Sequence, residues 1–168
     1  MDTLTPTQRS ELMSRIRGRD TKPELLVRRS LYAAGWRFRV ADKRYLGKPD
    51  VVVPKARTLI DIRGCFWHRH GCKCATMPKS NVEFWSAKWE CNVARDARNE
   101  AAWREAGWNV IIVWECALRA RQEATLARIS GTMAEWAAEI VAGRTRRVPH
   151  RLEIPKRANR VNPREEAS

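Results

Sequence analysis

Apolar positions along the chain change period several times, and each change marks an element. Between Thr21 and Ala34, Leu25, Leu26, Leu31 and Tyr32 recur at helical spacing and predict an amphipathic helix buried along that stripe. Its start reads Thr21-Lys22-Pro23-Glu24: the threonine can cap, the proline fits the first turn, Glu24 closes a capping box, and Gly35 supplies the stop. Glu24 thus has a sufficient structural role, although a glutamate at a helix start can also face a site. Trp36 to Val40 alternates apolar and basic residues, the period of a strand. After a turn through Ala41–Lys48, Pro49–Val53 and Arg57–Ile62 predict two adjacent strands of a hairpin, separated at Pro54. A second capping box, Ser80 with Glu83, opens a long helix toward Ala106 that Gly107 closes, with Phe84, Trp85 and Trp89 in its first turns and Arg95, Asp96, Arg98 and Glu100 on its outer face. Trp108–Trp114 is an unbroken apolar run, as in a parallel strand buried on both faces. Ala120–Val141 then carries Leu126, Ile129, Met133, Trp136 and Ile140 on one helical stripe.

The ends differ from this middle. Residues 1–20 are polar and basic, with only Met13 and Ile16 at helical spacing among Arg9, Arg15, Arg17 and Arg19, and are expected to form a basic arm. Residues 143–168 hold eight lysines and arginines and three prolines, and are expected to be a basic, disordered tail. The folded unit is therefore expected over 21–142, with one core for the 168-residue chain. Lysine and arginine number 33 against 19 acids, a net charge of +14, which points to a polyanion, and first to nucleic acid. No run of about 18 apolar residues is present and the N-terminal stretch has no apolar core, so neither a membrane span nor a signal peptide is expected. Five cysteines, three of them packed into Cys65–Cys74, suit metal binding in a reducing cytoplasm better than a disulfide framework.

Chemistry concentrates in Gly64–Cys72, G-C-F-W-H-R-H-G-C. Cys65, His70, Cys72 and the distant Cys116 offer the soft and borderline donors that a closed structural Zn²⁺ site uses, although spacing alone would also admit Cys74 for Cys72 and His68 for His70. In the first assignment His68 remains available for proton transfer, with Phe66 and Trp67 beside it as flat apolar surfaces and Trp85 a candidate to join them at DNA. Cys91, within the long helix, reads as a small core residue. Asp50 followed by Asp61-Ile62-Arg63 matches the P-D…(D/E)-x-K layout of metal-dependent nucleases with arginine in the lysine position, an arrangement in which a hairpin brings two carboxylates to one edge to hold Mg²⁺. An exposed turn aspartate after Gly47 and Pro49 is the commoner origin of a residue like Asp50 taken alone.

The runs P-D-V-V-V, G-C-F-W-H-R-H-G-C, E-F-W, N-V-x-R-D and G-W-N-V-I-I-V-W-E-C-A-L-R, in this order over residues 8–121, closely resemble the very short patch repair (Vsr) DNA mismatch endonucleases. The resemblance implies an α/β, restriction-endonuclease-like fold of the PD-(D/E)xK type, with a mixed central sheet flanked by helices and a structural zinc site. It implies Mg²⁺-dependent nicking of one strand of double-stranded DNA 5′ of the T in a T:G mispair, a lesion left by deamination of 5-methylcytosine. Carried over by position, the metal-binding aspartate is Asp50, the catalytic histidine His68, the zinc ligands Cys65, His70, Cys72 and Cys116, and the intercalating aromatics Phe66, Trp67 and Trp85. The family's magnesium-site threonine is Ile62 here, which leaves that position a backbone carbonyl. Arg63 stands where the best-known form has a histidine, and Asp61, Arg63 and Glu24 are auxiliary candidates. A monomer in the bacterial cytoplasm, acting alongside other mismatch-repair proteins, is the expected setting. Two other readings fit the residues: a zinc-stabilised DNA-binding protein without nuclease activity, which would need neither Asp50 nor His68, and a restriction endonuclease cutting matched sites.

Overall fold

A computed structural model describes residues 7–8, 11, 18–144 and 149–155. Helix α1 (Lys22–Ala33) precedes strand β1 (Val51–Val53), a 3₁₀ turn at Pro54–Ala56 and strand β2 (Thr58–Arg63). Helix α2 (Val82–Glu105), strand β3 (Asn109–Trp114), the short helix α3 (Glu115–Ala120), helix α4 (Gln122–Val141) and strand β4 (Arg151–Ile154) follow. The four strands form one mixed sheet in the order β1-β2-β3-β4, with β1 antiparallel to β2 and the other two pairs parallel. The predicted hairpin is present, and its tight connection ends at Arg57, whose φ of 45° is left-handed.

Burial explains the layers. Val51, Val53, Ile60, Ile62, Ile111 and Val113 face one side of the sheet, where Val27 and Leu31 of α1 and Ile129, Met133 and Trp136 of α4 cover them. Val52, Leu59, Val110, Ile112 and Trp114 face the other, against Trp103 of α2 and the buried cysteines Cys65 and Cys116. Every residue of β3 is buried, as its unbroken apolar run predicts. Burying each of its aliphatic side chains contributes about 1.5–3 kcal/mol relative to exposure.

Several expectations are corrected. Leu25 and Tyr32 are 37% and 63% exposed; the buried stripe of α1 is Glu24, Val27, Arg28 and Leu31, at the i, i+3, i+4, i+7 spacing. It includes a charged pair because Arg28 Nη2 donates to Glu24 Oε2 at 2.7 Å. The first capping box does not form: Glu24 Oε2 accepts the backbone N–H of Asp20, one residue ahead of the N-cap, at 3.0 Å, and the Thr21 hydroxyl donates to Glu24 Oε1 at 2.9 Å instead of capping. The second box does not form, since α2 starts after Asn81, which is left-handed at φ 53° and makes no side-chain cap. Trp36–Val40 is not a strand. Arg39 alone bridges Val52, because β1 offers just three residues and Trp36 and Phe38 turn to pack on the core. Asp96 is buried rather than on the outer face of α2, and Cys91 is exposed rather than in the core.

The expected tail contains structure. Arg151–Ile154 pairs parallel with β3 over Val110–Val113, and its alternation places Leu152 and Ile154 against the α1/α4 side. His150 leads in, its backbone N–H on Asn109 Oδ1 at 2.9 Å and its ring stacked on Trp136 at 4.9 Å. Residues 156–168 and most of the predicted arm lie outside the described residues. No helix among the described residues is long and apolar enough to cross a membrane.

Candidate active site

The site begins with the β1/β2 register. Val51 pairs with Ile60, so one residue further the chain sets Asp50 across from Asp61, and opposed residues of an antiparallel pair share a face. By the two-residue period of a strand, Asp61 and Arg63 lie on the same face as Leu59, the side covered by α2. Asp50 Oδ2 accepts the backbone N–H of Ile62 at 2.7 Å, which fixes its carboxylate at the end of the hairpin. Burial pushes the Asp50 carboxyl up to about 7, and the carboxylates of Asp61 and then Glu24 add to the push against the opposing Ile62 N–H and Arg28. A partly buried acid repelled by two others is a place where a cation is favoured. Glu24 therefore serves the start of α1 and also lies within electrostatic reach of Asp50.

The loop after β2 delivers the other half. Gly64 has no room for a side chain without crowding, since a Cβ there would lie 3.2 Å from the Trp67 ring. Backbone bonds from His68 N to Gly64 O, His70 N to Cys65 O and Cys72 N to His70 O wind the loop tightly, with Arg69 left-handed at φ 49°. This winding gathers Cys65, His70, Cys72 and Cys116, whose donor atoms all lie within 4.8 Å of one another, into a group that can hold a metal ion. Cys116 arrives from the first turn of α3, and the His70 ring stacks on Trp114 at 4.2 Å. Burial pushes the Cys65 thiol up; at Cys72 burial acts in the same direction, but the Cys74 backbone N–H and the surrounding thiols outweigh it and hold that thiol below its ordinary value. Burial also lowers the His70 imidazole, against a smaller opposing effect of Glu153. Cys74 is exposed, and none of the five cysteines is in a disulfide.

His68 points away from that cluster, its Nδ1 hydrogen-bonded to Asp96 Oδ2. Burial alone would raise the Asp96 carboxyl, but His68, Arg63 and Arg95 together hold it below the usual carboxylate range. Asp96 is therefore ionised and can only accept, so the His68 Nδ1–H donates to it and Nε2 is the ring nitrogen that Asp96 does not engage. Sequence reasoning missed Asp96. Its signal was Trp89, Asn92, Asp96, Asn99 and Trp103, a buried stripe at helical spacing whose middle is polar. Asn92 was missed too; its Nδ2 donates to the Trp67 carbonyl at 2.8 Å and holds the loop from beneath.

Beside His68 the aromatic rings form one cluster. Phe66 meets Trp67 at 5.2 Å and Trp85 at 5.1 Å, edge to face, and Trp67 lies 5.9 Å from Trp85. Buried Trp89 forms the floor at 5.5 Å from Phe66, and Phe84, 62% exposed, packs edgewise on Trp85. The three predicted rings come together, with Phe84 an unforeseen fourth.

Fold and site together define a restriction-endonuclease-like DNA endonuclease, with acids at the end of a hairpin in a mixed sheet and a histidine on the metal-competent loop that follows it. Comparison with known proteins refines the class. The family described as DNA mismatch endonuclease Vsr matches over residues 1–74. The Type II nicking enzyme V.NmeAIP of Neisseria meningitidis serogroup A is 47% identical over 118 residues, 70% of this chain and 84% of that protein. The Type II nicking enzyme V.XorIIP of Xanthomonas oryzae pv. oryzae is 46% identical over 117 residues, 70% of this chain and 86% of its own length. The DNA mismatch endonuclease Vsr of Escherichia coli is 42% identical over 128 residues, 76% of this chain and 82% of that protein. The chain belongs to the Vsr family of DNA mismatch endonucleases.

Proposed function

We propose that the protein nicks one strand of duplex DNA 5′ of the T in a T:G mispair, as a monomer in the cytoplasm. Asp50 and the Ile62 backbone carbonyl would hold Mg²⁺, which when bound supplies positive charge to the phosphate as it becomes pentacovalent. The fit rests on the Asp50 carboxylate, partly buried and repelled by Asp61 and Glu24. Cys65, His70, Cys72 and Cys116 would hold a structural Zn²⁺. Their donor atoms, three thiols and one imidazole all within 4.8 Å of one another, are the set that a closed structural zinc site uses.

Within that frame His68 takes a proton from the attacking water through Nε2, while Asp96 keeps the ring oriented and stabilises the cation that forms. Phe66, Trp67 and Trp85 enter the stack beside the mispair. A T:G pair is easier to unstack than a Watson–Crick pair, so insertion costs least at the lesion and the deformation itself becomes a source of selectivity. Asn92 keeps Trp67 presented for this step.

The reading is carried by the chain of charges between the two residues: Asp61 acts on the Asp50 carboxyl and pairs with Arg63, whose Nε lies 4.0 Å from the Asp96 carboxylate that His68 engages. The test is product mapping on duplexes with each strand labelled, one carrying T:G and one fully matched, with EDTA and then added Mg²⁺. A single nick 5′ of the mispaired T, lost in EDTA and restored by Mg²⁺, is the expected result. Binding without cleavage, or cuts in both strands of the matched duplex, overturns it.

A further inference from the structure

Arg63 ends β2 and is 7% exposed, yet among the described residues its guanidinium makes just one close hydrogen bond, from Nε to Asp61 Oδ2 at 2.7 Å. The same Nε lies 4.0 Å from Asp96 Oδ2, and Nη2 lies 4.0 Å from Glu100 Oε2. Nη2 is buried with no hydrogen-bond partner among the described residues. The guanidinium carbon sits 5.8 Å from the centre of the Trp114 ring, and Glu100 is itself held by Arg151 Nε at 2.5 Å. One cation thus stands among three carboxylates, held by an aromatic wall and by charge more than by saturated hydrogen bonding.

Its position is specific. Asp61 sits across the hairpin from Asp50, whereas Asp96 is the partner of His68. We propose that Arg63 is a positioning residue that ties the metal-side carboxylates to the His68–Asp96 pair, a proposal that rests on the function given above. Without the cation, Asp61 and Asp96 repel each other across the space it fills. Asp61 then turns toward Asp50, and Asp96 loosens its hold on the Nδ1–H of His68. Buried as it is, Arg63 does not touch DNA, so its loss registers in the chemical step and not in affinity. A lysine could restore charge to one carboxylate but could not hold a plane between two.

The test uses the full chain with zinc and magnesium, the variants Arg63→Met and Arg63→Lys, and Arg63→Met combined with Asp96→Asn. Single-turnover nicking of the T:G duplex by Arg63→Met is expected to fall about 10²-fold, as for a misplaced catalytic group, with the DNA Kd within about twofold. Arg63→Lys is expected to recover at least about a tenth of the wild-type rate, and adding Asp96→Asn to Arg63→Met to cost less than about threefold beyond the slower single variant, because both act through the same ring. ¹⁵N spectra of the histidine rings supply a readout independent of cleavage: His68 holds the Nδ1–H tautomer in wild type and Arg63→Lys, and becomes a tautomer mixture in Arg63→Met. Rates that multiply independently in the double variant, or an unchanged His68 tautomer in Arg63→Met, overturn the proposal. Should Arg63→Met fail to fold, the same spectra on Arg63→Gln, which also removes the charge, decide, with an unperturbed His68 ring counting against the proposal. A wild-type protein that leaves the T:G duplex uncut refutes the functional reading instead, and the ring spectra still judge Arg63.

Discussion

His68 has one ring nitrogen committed to Asp96, which leaves the other for the proton transfer proposed above. Replacing Asp96 by asparagine keeps the shape but lets the amide favour the wrong tautomer, so the nicking rate is expected to fall about 10²–10⁴-fold with DNA affinity nearly unchanged. An equal loss in binding and rate would show that Asp96 only maintains the fold. The same residue couples folding to pH. Its folded-state carboxyl is depressed, so its stabilisation is complete above the ordinary aspartate value near 3.9 and is lost as pH falls through the lower folded value. Denaturant midpoints of wild type and Asp96→Asn should therefore differ at neutral pH and draw together in acid below about pH 4. At this scale the sequence was legible where residue types were dense, as in the loop at 64–72, and illegible where a polar residue was buried. Residue type does not separate Asp96 from its solvated neighbours Arg95 and Arg98; its helical spacing from Trp89, Asn92, Asn99 and Trp103 marks the buried face, and the contact with His68 gives it a role.

Elements show the same division. The all-apolar β3 and the hairpin were readable because periodicity reports burial directly. The strand expected at Trp36–Val40 failed because alternation cannot reveal how short the neighbouring edge is, and β4 was hidden inside a segment whose average composition is that of a solvated tail. Ile154, buried against the α1/α4 side, gives β4 an anchoring role, so Ile154→Ala should destabilise the protein by about 2–5 kcal/mol in denaturant unfolding. A change near zero would mean that β4 docks without contributing. The loop after β2 has no helix or strand through Ser80, so its order is expected to depend on the Cys/His group together with the packing of Phe66 and Trp67. Stripping zinc with a strong chelator should lower the melting temperature, with zinc restoring it and magnesium unable to do so. An unchanged melting temperature would remove the metal from the account of this loop.

At the scale of the whole molecule, a net charge of +14 has a partner in DNA. A basic groove lined by Lys43, Tyr45, Leu46, Gly47 and Lys48 lies immediately before Asp50 in the chain, pinned by the Trp103 indole N–H on the Leu46 carbonyl at 2.8 Å. Gly47 is left-handed at φ 71°, and a Cβ there would come within 2.0 Å of the Asn99 amide, so the turn needs glycine. With about 6–10 phosphates neutralised, affinity for duplex should fall about 10³–10⁵-fold between 50 and 200 mM salt, and a nearly flat salt dependence would contradict a phosphate-dominated interface. Charge and motif order made the DNA partner and the family legible from the sequence. The joining of Asp50 to His68 through Arg63 was not, because it depends on which face of the sheet each side chain takes.

That convergence is tested most directly by separating binding from cutting in Asp50→Asn and His68→Ala. On a strand-labelled T:G duplex under single-turnover conditions, both variants should keep wild-type affinity and preference for the mispair while nicking falls by at least about 10²-fold. Nicking at the wild-type rate by either variant would mean that Asp50 and His68 do not act together on one phosphate.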